Sequence, residues 1–120
     1  MALIDKMCQM VGFDQGEGIF SPGGSLAILA CLILARSAAY PSVKQHGLLG
    51  DPSIRPGRFF TSVQSHYSVE RAASILGFGT ESVVKIPAPR GVMSVVDLGL
   101  LIADPRSFLL SFSRRSFDQD

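Results

Sequence analysis

Neither sign of charge dominates this chain. Eleven basic and ten acidic residues leave a net charge of +1, so nothing in the balance attracts a nucleic-acid backbone or an anionic membrane surface. His46, Arg55 and Arg58 form no basic stripe with interleaved aromatics. The cysteines are only two, Cys8 and Cys31, both in apolar helical patterns and without metal-ligand spacing. They read as buried free thiols in a reducing compartment. No histidine or asparagine stands near either in a context that suggests a nucleophile. The longest apolar run, Leu26 to Ala35, has ten residues, against about 20 for a membrane span. It reads as a core helix buried nearly all round. No secretory signal is expected, because Asp5 and Lys6 interrupt the first apolar residues. With 120 residues, at most one small domain is expected.

What the chain does have is glycine in a telling place. Gly16-Glu17-Gly18-Ile19-Phe20-Ser21-Pro22-Gly23-Gly24-Ser25 leads straight into the apolar run. Ile19 and Phe20 look strand-like, Pro-Gly-Gly makes a turn, and Ser25 stands where a helix N-cap is expected. Glycine permits positive φ and close approach of the backbone to a ligand. Unpaired amides at a helix start, backed by the helix dipole, suit an anion such as phosphate. An ordinary tight turn before a buried helix fits the same pattern. No Gly-Lys-Ser/Thr follows, so this is not a P-loop.

The periodicity predicts a helix over Met1 to Val11 ending at Gly12, with Leu3, Ile4, Met7, Met10 and Val11 on one face. Starting in mid-helix, the chain suggests a missing upstream part. The next helix runs from Leu26 to about Ala39 and stops at Pro41. A polar connector from Pro41 to Arg58 holds a short helical turn and a surface loop. Strands are predicted at Arg58 to Val63 and Ser82 to Pro87. Between them lies a helix from Ser68 to Leu76 with Gly77 as its C-cap; it turns Val69, Ala72, Ala73 and Leu76 inward. Ser94 can cap a last helix, with Asp97 three residues on. Alternating helices and strands imply an α/β layer with a parallel sheet. Past Gly99 the pattern loses its period.

Several motifs in one order carry more than any single one. Gly16 to Arg36 is followed by Phe60-Thr61-Ser62, then by Ser65-His66-Tyr67-Ser68-Val69-Glu70-Arg71-Ala72-Ala73. Gly77-Phe78-Gly79-Thr80-Glu81-Ser82-Val83 and Arg90-Gly91-Val92-Met93 come next, before Asp97-Leu98. Residues 3 to 98 resemble the group II pyridoxal-phosphate decarboxylases in motif order and approximate spacing. Phe20-Ser21-Pro22-Gly23-Gly24-Ser25 is similar to the turn of the glutamate and cysteine-sulfinate branch, and Met10-Val11-Gly12-Phe13 leans towards cysteine sulfinate.

The resemblance implies an α/β fold, part of the large domain of the aspartate-aminotransferase-like (fold type I) pyridoxal-phosphate enzymes. Residues 1–99 would be a fragment of that domain and 100–120 a divergent tail. It implies pyridoxal 5'-phosphate as cofactor and decarboxylation of an acidic amino acid: cysteine sulfinate, glutamate or aspartate. It further implies a cytoplasmic homodimer as the complete enzyme. Gly24 and Ser25 match the positions holding the cofactor phosphate, Gly23 shapes their turn, and His66 matches the histidine that stacks on the cofactor ring. At a helix start, a histidine can also simply bond the turn.

Three features depart from the family pattern. Ala27 and Ile28 stand where a polar residue and an asparagine are usual. The connector from Gly50 to Arg58 looks slightly long. Neither an Asp-Ala-Ala strand, for the pyridine nitrogen, nor an Asn-Pro-His-Lys stretch, for the cofactor lysine, occurs. Lys6, Lys44 and Lys85 are the only lysines, and Lys85 reads as a solvated or edge-strand residue. The isolated chain is therefore expected to be inactive. The alternative expectation is a non-catalytic truncated isoform that pairs with a full-length subunit.

Overall fold

The computed structural model describes residues 2–13, 15–55 and 57–103. In order, these form α1 (Ala2–Met10), α2 (Gly24–Ala39), α3 (Val43–His46), β1 (Phe59–Ser62), α4 (Ser68–Ile75), β2 (Val83–Ile86) and α5 (Val95–Ile102). Single 3-10 turns at Thr80–Ser82 and Pro89–Gly91 flank β2. The predicted divergent tail lies outside the described residues from 104 onward, while Leu100, Leu101 and Ile102 continue α5.

β1 and β2 pair in parallel, Phe59 opposite Val83 and Ser62 opposite Ile86. A parallel pair needs a crossover connection, and α4 supplies it. Along β1 burial alternates: Phe59 and Thr61 are buried, Phe60 and Ser62 half-buried. That is the period of a strand with one covered face. The cover is α4, whose Ala72 and Ala73 are buried and whose Ala73 joins Phe59 and Val83 in the core. Alanine there lets helix and sheet approach closely. Leu32 of α2, Val69 and Phe78 close the cluster. Phe78 meets Phe59 edge-on at 5.1 Å, a favoured aromatic geometry. In β2, Lys85 pairs with Glu70 of α4 at 3.2 Å.

The caps explain the helix ends. After α4, Phe78 N–H donates to the Ala73 carbonyl and Gly77 N–H to that of Ser74, with Gly77 at φ +85°. This is the Schellman arrangement, and Gly77 supplies its left-handed residue as expected. Ser94 caps α5 by accepting from the Asp97 amide at 3.3 Å.

Four expectations are corrected. α2 begins at Gly24 with Gly23 as its N-cap, not at Leu26 with Ser25, and no side chain caps it. The reason is local: Gly23 takes φ +108°, and its carbonyl already accepts from Ala27 N–H at 3.1 Å. The helix therefore starts before the serine. α2 is also not buried all round, since none of its residues is buried and Leu34 is 56% exposed. Among the described residues its main cover is α4, with a smaller contact to α3. For the same reason Cys31 is exposed; Cys8, on α1, is half-buried, and both thiols are free. Ile19 and Phe20 form no strand and lie exposed.

Candidate functional site

The relative direction of α2 and α4 decides where their amino ends lie. Arg36, near the end of α2, donates from Nη1 to the carbonyl of Leu76, just past α4, at 3.2 Å. One turn earlier in α2, Leu32 packs against the buried cluster that holds Ala73 of α4. The two helices thus run side by side in the same sense. Their amino ends face the same end of the molecule, and α4 starts there directly after β1. This is the carboxyl end of the strands, where open α/β sheets place their ligands.

At the start of α2, the amides of Gly24, Ser25 and Leu26 precede the first intrahelical bond, that of Ala27 to Gly23. Such amides have no partner within a helix. A methyl built on Gly23 or Gly24 meets nothing within 4 Å, so the space above the turn is open. Glycine at position 23 is required by its positive φ, not by crowding. Gly23, Gly24 and Ser25 are all exposed. With the cap position taken by Gly23, the Ser25 hydroxyl is not used in capping.

At the start of α4, His66 is exposed and its Nδ1 accepts from the Ser68 amide at 3.2 Å. An Nδ1 that accepts carries no proton, so the neutral ring holds its proton on Nε2. The imidazole and the Tyr67 ring stand 4.2 Å apart between centroids, tilted by 36°. The Arg71 guanidinium lies 5.9 Å from the centre of the Tyr67 ring. The turn before His66 is tight: Ser65 N–H donates to Ser62 O at 2.9 Å, and buried Thr61 bonds the Ser65 hydroxyl at 2.6 Å. The ring pair is not legible in the sequence, although Tyr67 stands next to His66 in the motif.

A cavity of about 300 Å³ lies elsewhere, at the carboxyl end of α2 between Tyr40, Pro41, Ser42, Asp51 and Arg55. Bonds from the Ser53 hydroxyl and amide and from the Ser42 hydroxyl hold the Asp51 carboxyl below its ordinary value. Being at the opposite end of α2, it is separate from the glycine turn. Among the described residues no group of three potential metal ligands occurs, and no helix is long and apolar enough to cross a membrane.

Known proteins resemble this chain in sequence and fold. Residues 1–107 match the pyridoxal-dependent decarboxylase conserved domain. The chain is 44% identical to the acidic amino acid decarboxylase of Homo sapiens over 82 residues, which is 68% of this chain and 15% of that protein. It is 42% identical to the cysteine sulfinic acid decarboxylase of Homo sapiens over 97 residues, 80% of this chain and 19% of that protein. A crystal structure of mouse CSAD in apo form superposes with a TM-score of 0.80 at 37% identity, covering 90% of this chain and 23% of that one. The expected α/β fold, part of a pyridoxal-phosphate decarboxylase domain, is what these neighbours share. The chain belongs to the pyridoxal-dependent decarboxylase family, in the branch of the cysteine sulfinate and glutamate decarboxylases, whose cofactor is pyridoxal phosphate.

Proposed function

We propose that this chain forms the phosphate-holding and ring-stacking part of a decarboxylase for an acidic amino acid, with cysteine sulfinate, glutamate or aspartate as substrate. The observation that carries it is the shared direction of α2 and α4, which turns Gly23-Gly24-Ser25 and His66 towards one end of the fold. Residues 1–99 are the cofactor-binding portion in this reading, and 100–120 a divergent tail.

Each residue has a task its setting suits. Gly23 makes the turn through its positive φ. The amides of Gly24 and Ser25, with the Ser25 hydroxyl, hold the phosphate dianion, helped by the positive end of α2. The open space over the glycines accommodates it. His66 would stack on the pyridine ring. Bound there, pyridoxal phosphate supplies an electron sink for the pair released when the carboxylate leaves. The chain itself contains neither an Asp-Ala-Ala nor an Asn-Pro-His-Lys stretch. On this reading the isolated chain binds cofactor weakly and releases no CO2, while the complete enzyme is a cytoplasmic homodimer.

Titration of the 120-residue chain with pyridoxal phosphate, followed by absorption, tests this. Saturable binding that weakens in both Ser25→Ala and His66→Ala supports it. No spectral change even at millimolar cofactor overturns it. Assays with all three acids should show no CO2 release.

Exposed apolar faces favour a second reading, pairing with a full-length decarboxylase subunit. Leu3 and Met10 on α1, Leu34 on α2 and Val95 and Val96 on α5 are more than half exposed, and exposed apolar surface of this kind is where a partner chain can dock. Co-expression should then lower the activity of the full-length enzyme in proportion to dose. Failure to co-purify would sink it.

A further inference from the structure

His66 has two faces, and one of them is already taken. The Tyr67 ring lies 4.2 Å from the imidazole centroid, too close for an edge-on contact. It is held from two directions: its residue is the N-cap of α4, and the Arg71 guanidinium stands over it at 5.9 Å. The in-plane rotation of the imidazole is fixed separately, because Nδ1 accepts from the Ser68 amide at 3.2 Å. That bond belongs to the backbone of α4, whose first residue Ser68 is buried. Two constraints therefore act on one side chain. The amide sets where the edge points and keeps the proton on Nε2, while Tyr67 sets the tilt of the plane.

We propose that Tyr67 is a positioning residue, a backing ring that holds His66 so that a planar heteroaromatic ligand stacks on the opposite imidazole face only. The inference rests on the reading of His66 as the ring-stacking residue and extends it to a second side chain. An exposed imidazole without such backing would sample several rotamers and pay ordering entropy on meeting a ligand. Tyr67 removes part of that loss in advance. Because the contact is made by the ring and not by the hydroxyl, phenylalanine should serve and leucine should not.

The test uses the full chain with histidine labelled in its ring, and Tyr67→Leu, Tyr67→Phe and His66→Ala as variants. Tyr67 is 56% exposed, so neither replacement disturbs the core. The probe is pyridoxine 5'-phosphate, which has no aldehyde to react with Lys6, Lys44 or Lys85. In the free protein the His66 ring protons should show a ring-current shift that Tyr67→Phe keeps and Tyr67→Leu abolishes. The nitrogen shifts should report the Nε2–H tautomer in all three proteins that retain His66. Binding should weaken by about two- to tenfold in Tyr67→Leu, the range of one aromatic pair, and recover in Tyr67→Phe. Unchanged ring shifts in Tyr67→Leu overturn the proposal. So does unchanged affinity in Tyr67→Leu when His66→Ala does weaken binding, and the stacking role of His66 then stands. If His66→Ala also leaves affinity unchanged, the stacking role falls and with it the ligand-facing part of the proposal.

Discussion

The guanidinium of Arg36 donates to the carbonyl oxygen of Leu76 at 3.2 Å, joining residues 40 apart in sequence. A cation at the carboxyl end of a helix meets the negative end of its dipole, so this contact both ties α2 to α4 and sets their common direction. Everything proposed for the glycine turn and His66 depends on that alignment.

Replacing Arg36 should therefore loosen the site as well as the fold. Arg36→Met should lower stability by roughly 1.5–3 kcal/mol, the range of a hydrogen bond to a charged group. Urea unfolding measures the loss. Cofactor affinity should fall with it, though Arg36 lies at the far end of α2 from the glycine turn. Stability that drops while affinity holds would show that the helix starts keep their places without this bond.

The core is small, and Ile86, at 0% exposure like Ala73, is the larger of its two fully buried side chains. Ile86→Ala should cost about 2–5 kcal/mol, a large part of what a domain of this size possesses. The expected result is loss of a cooperative unfolding transition. Ile86→Val should keep the transition and shift its midpoint only modestly.

Arg90 has φ +60°, the one positive value on a non-glycine residue among those described. It sits in the exposed turn Pro89–Gly91, and a side chain there costs about 1–2 kcal/mol in the left-handed region. Arg90→Gly should raise the unfolding midpoint, while Arg90→Ala, with the same Cβ, should not.

At low pH the carboxyl of Asp51 should become a point of weakness. Its folded value is lowered by the Ser53 hydroxyl, the Ser53 amide and the Ser42 hydroxyl. A lowered carboxylate binds its proton less readily folded than unfolded. Its contribution is thus present above the ordinary value of 3.8 and is lost as pH falls through the lower folded value. Asp51→Asn should be less stable than the parent near neutral pH and should approach it in acid. A difference independent of pH would show that Asp51 acts without its charge.

At the alkaline end Tyr40 should act in the opposite sense. Burial pushes its phenol up, against a bond with the Gly57 backbone that pulls it down. The unfolded chain then ionises first, so stability falls as pH rises past 10.0. Tyr40→Phe should flatten that decline in an alkaline unfolding series.

Elements with local causes were legible in the sequence. The alternation at Phe59 to Ser62, the inward set Val69, Ala72, Ala73 and Leu76, the Gly77 cap and the Ser94 cap all depend on neighbours within a few residues. The family was legible too, because its motifs follow one another along the chain. What tertiary structure decided is everything that depends on cover and direction. An apolar stretch such as Leu26 to Ala35 asks for burial on every side, yet its sequence cannot say which neighbours are present, and among the described residues α4 is its main cover. The start of α2 moved to Gly24 because backbone geometry at Gly23, not side-chain preference at Ser25, formed the first turn. The seating of His66 between the Ser68 amide and the Tyr67 ring likewise follows from how the chain turns out of β1. Residue types set which contacts are possible there; only packing of α4 on α2 and the sheet decides which are made, because that fixes distance and direction together.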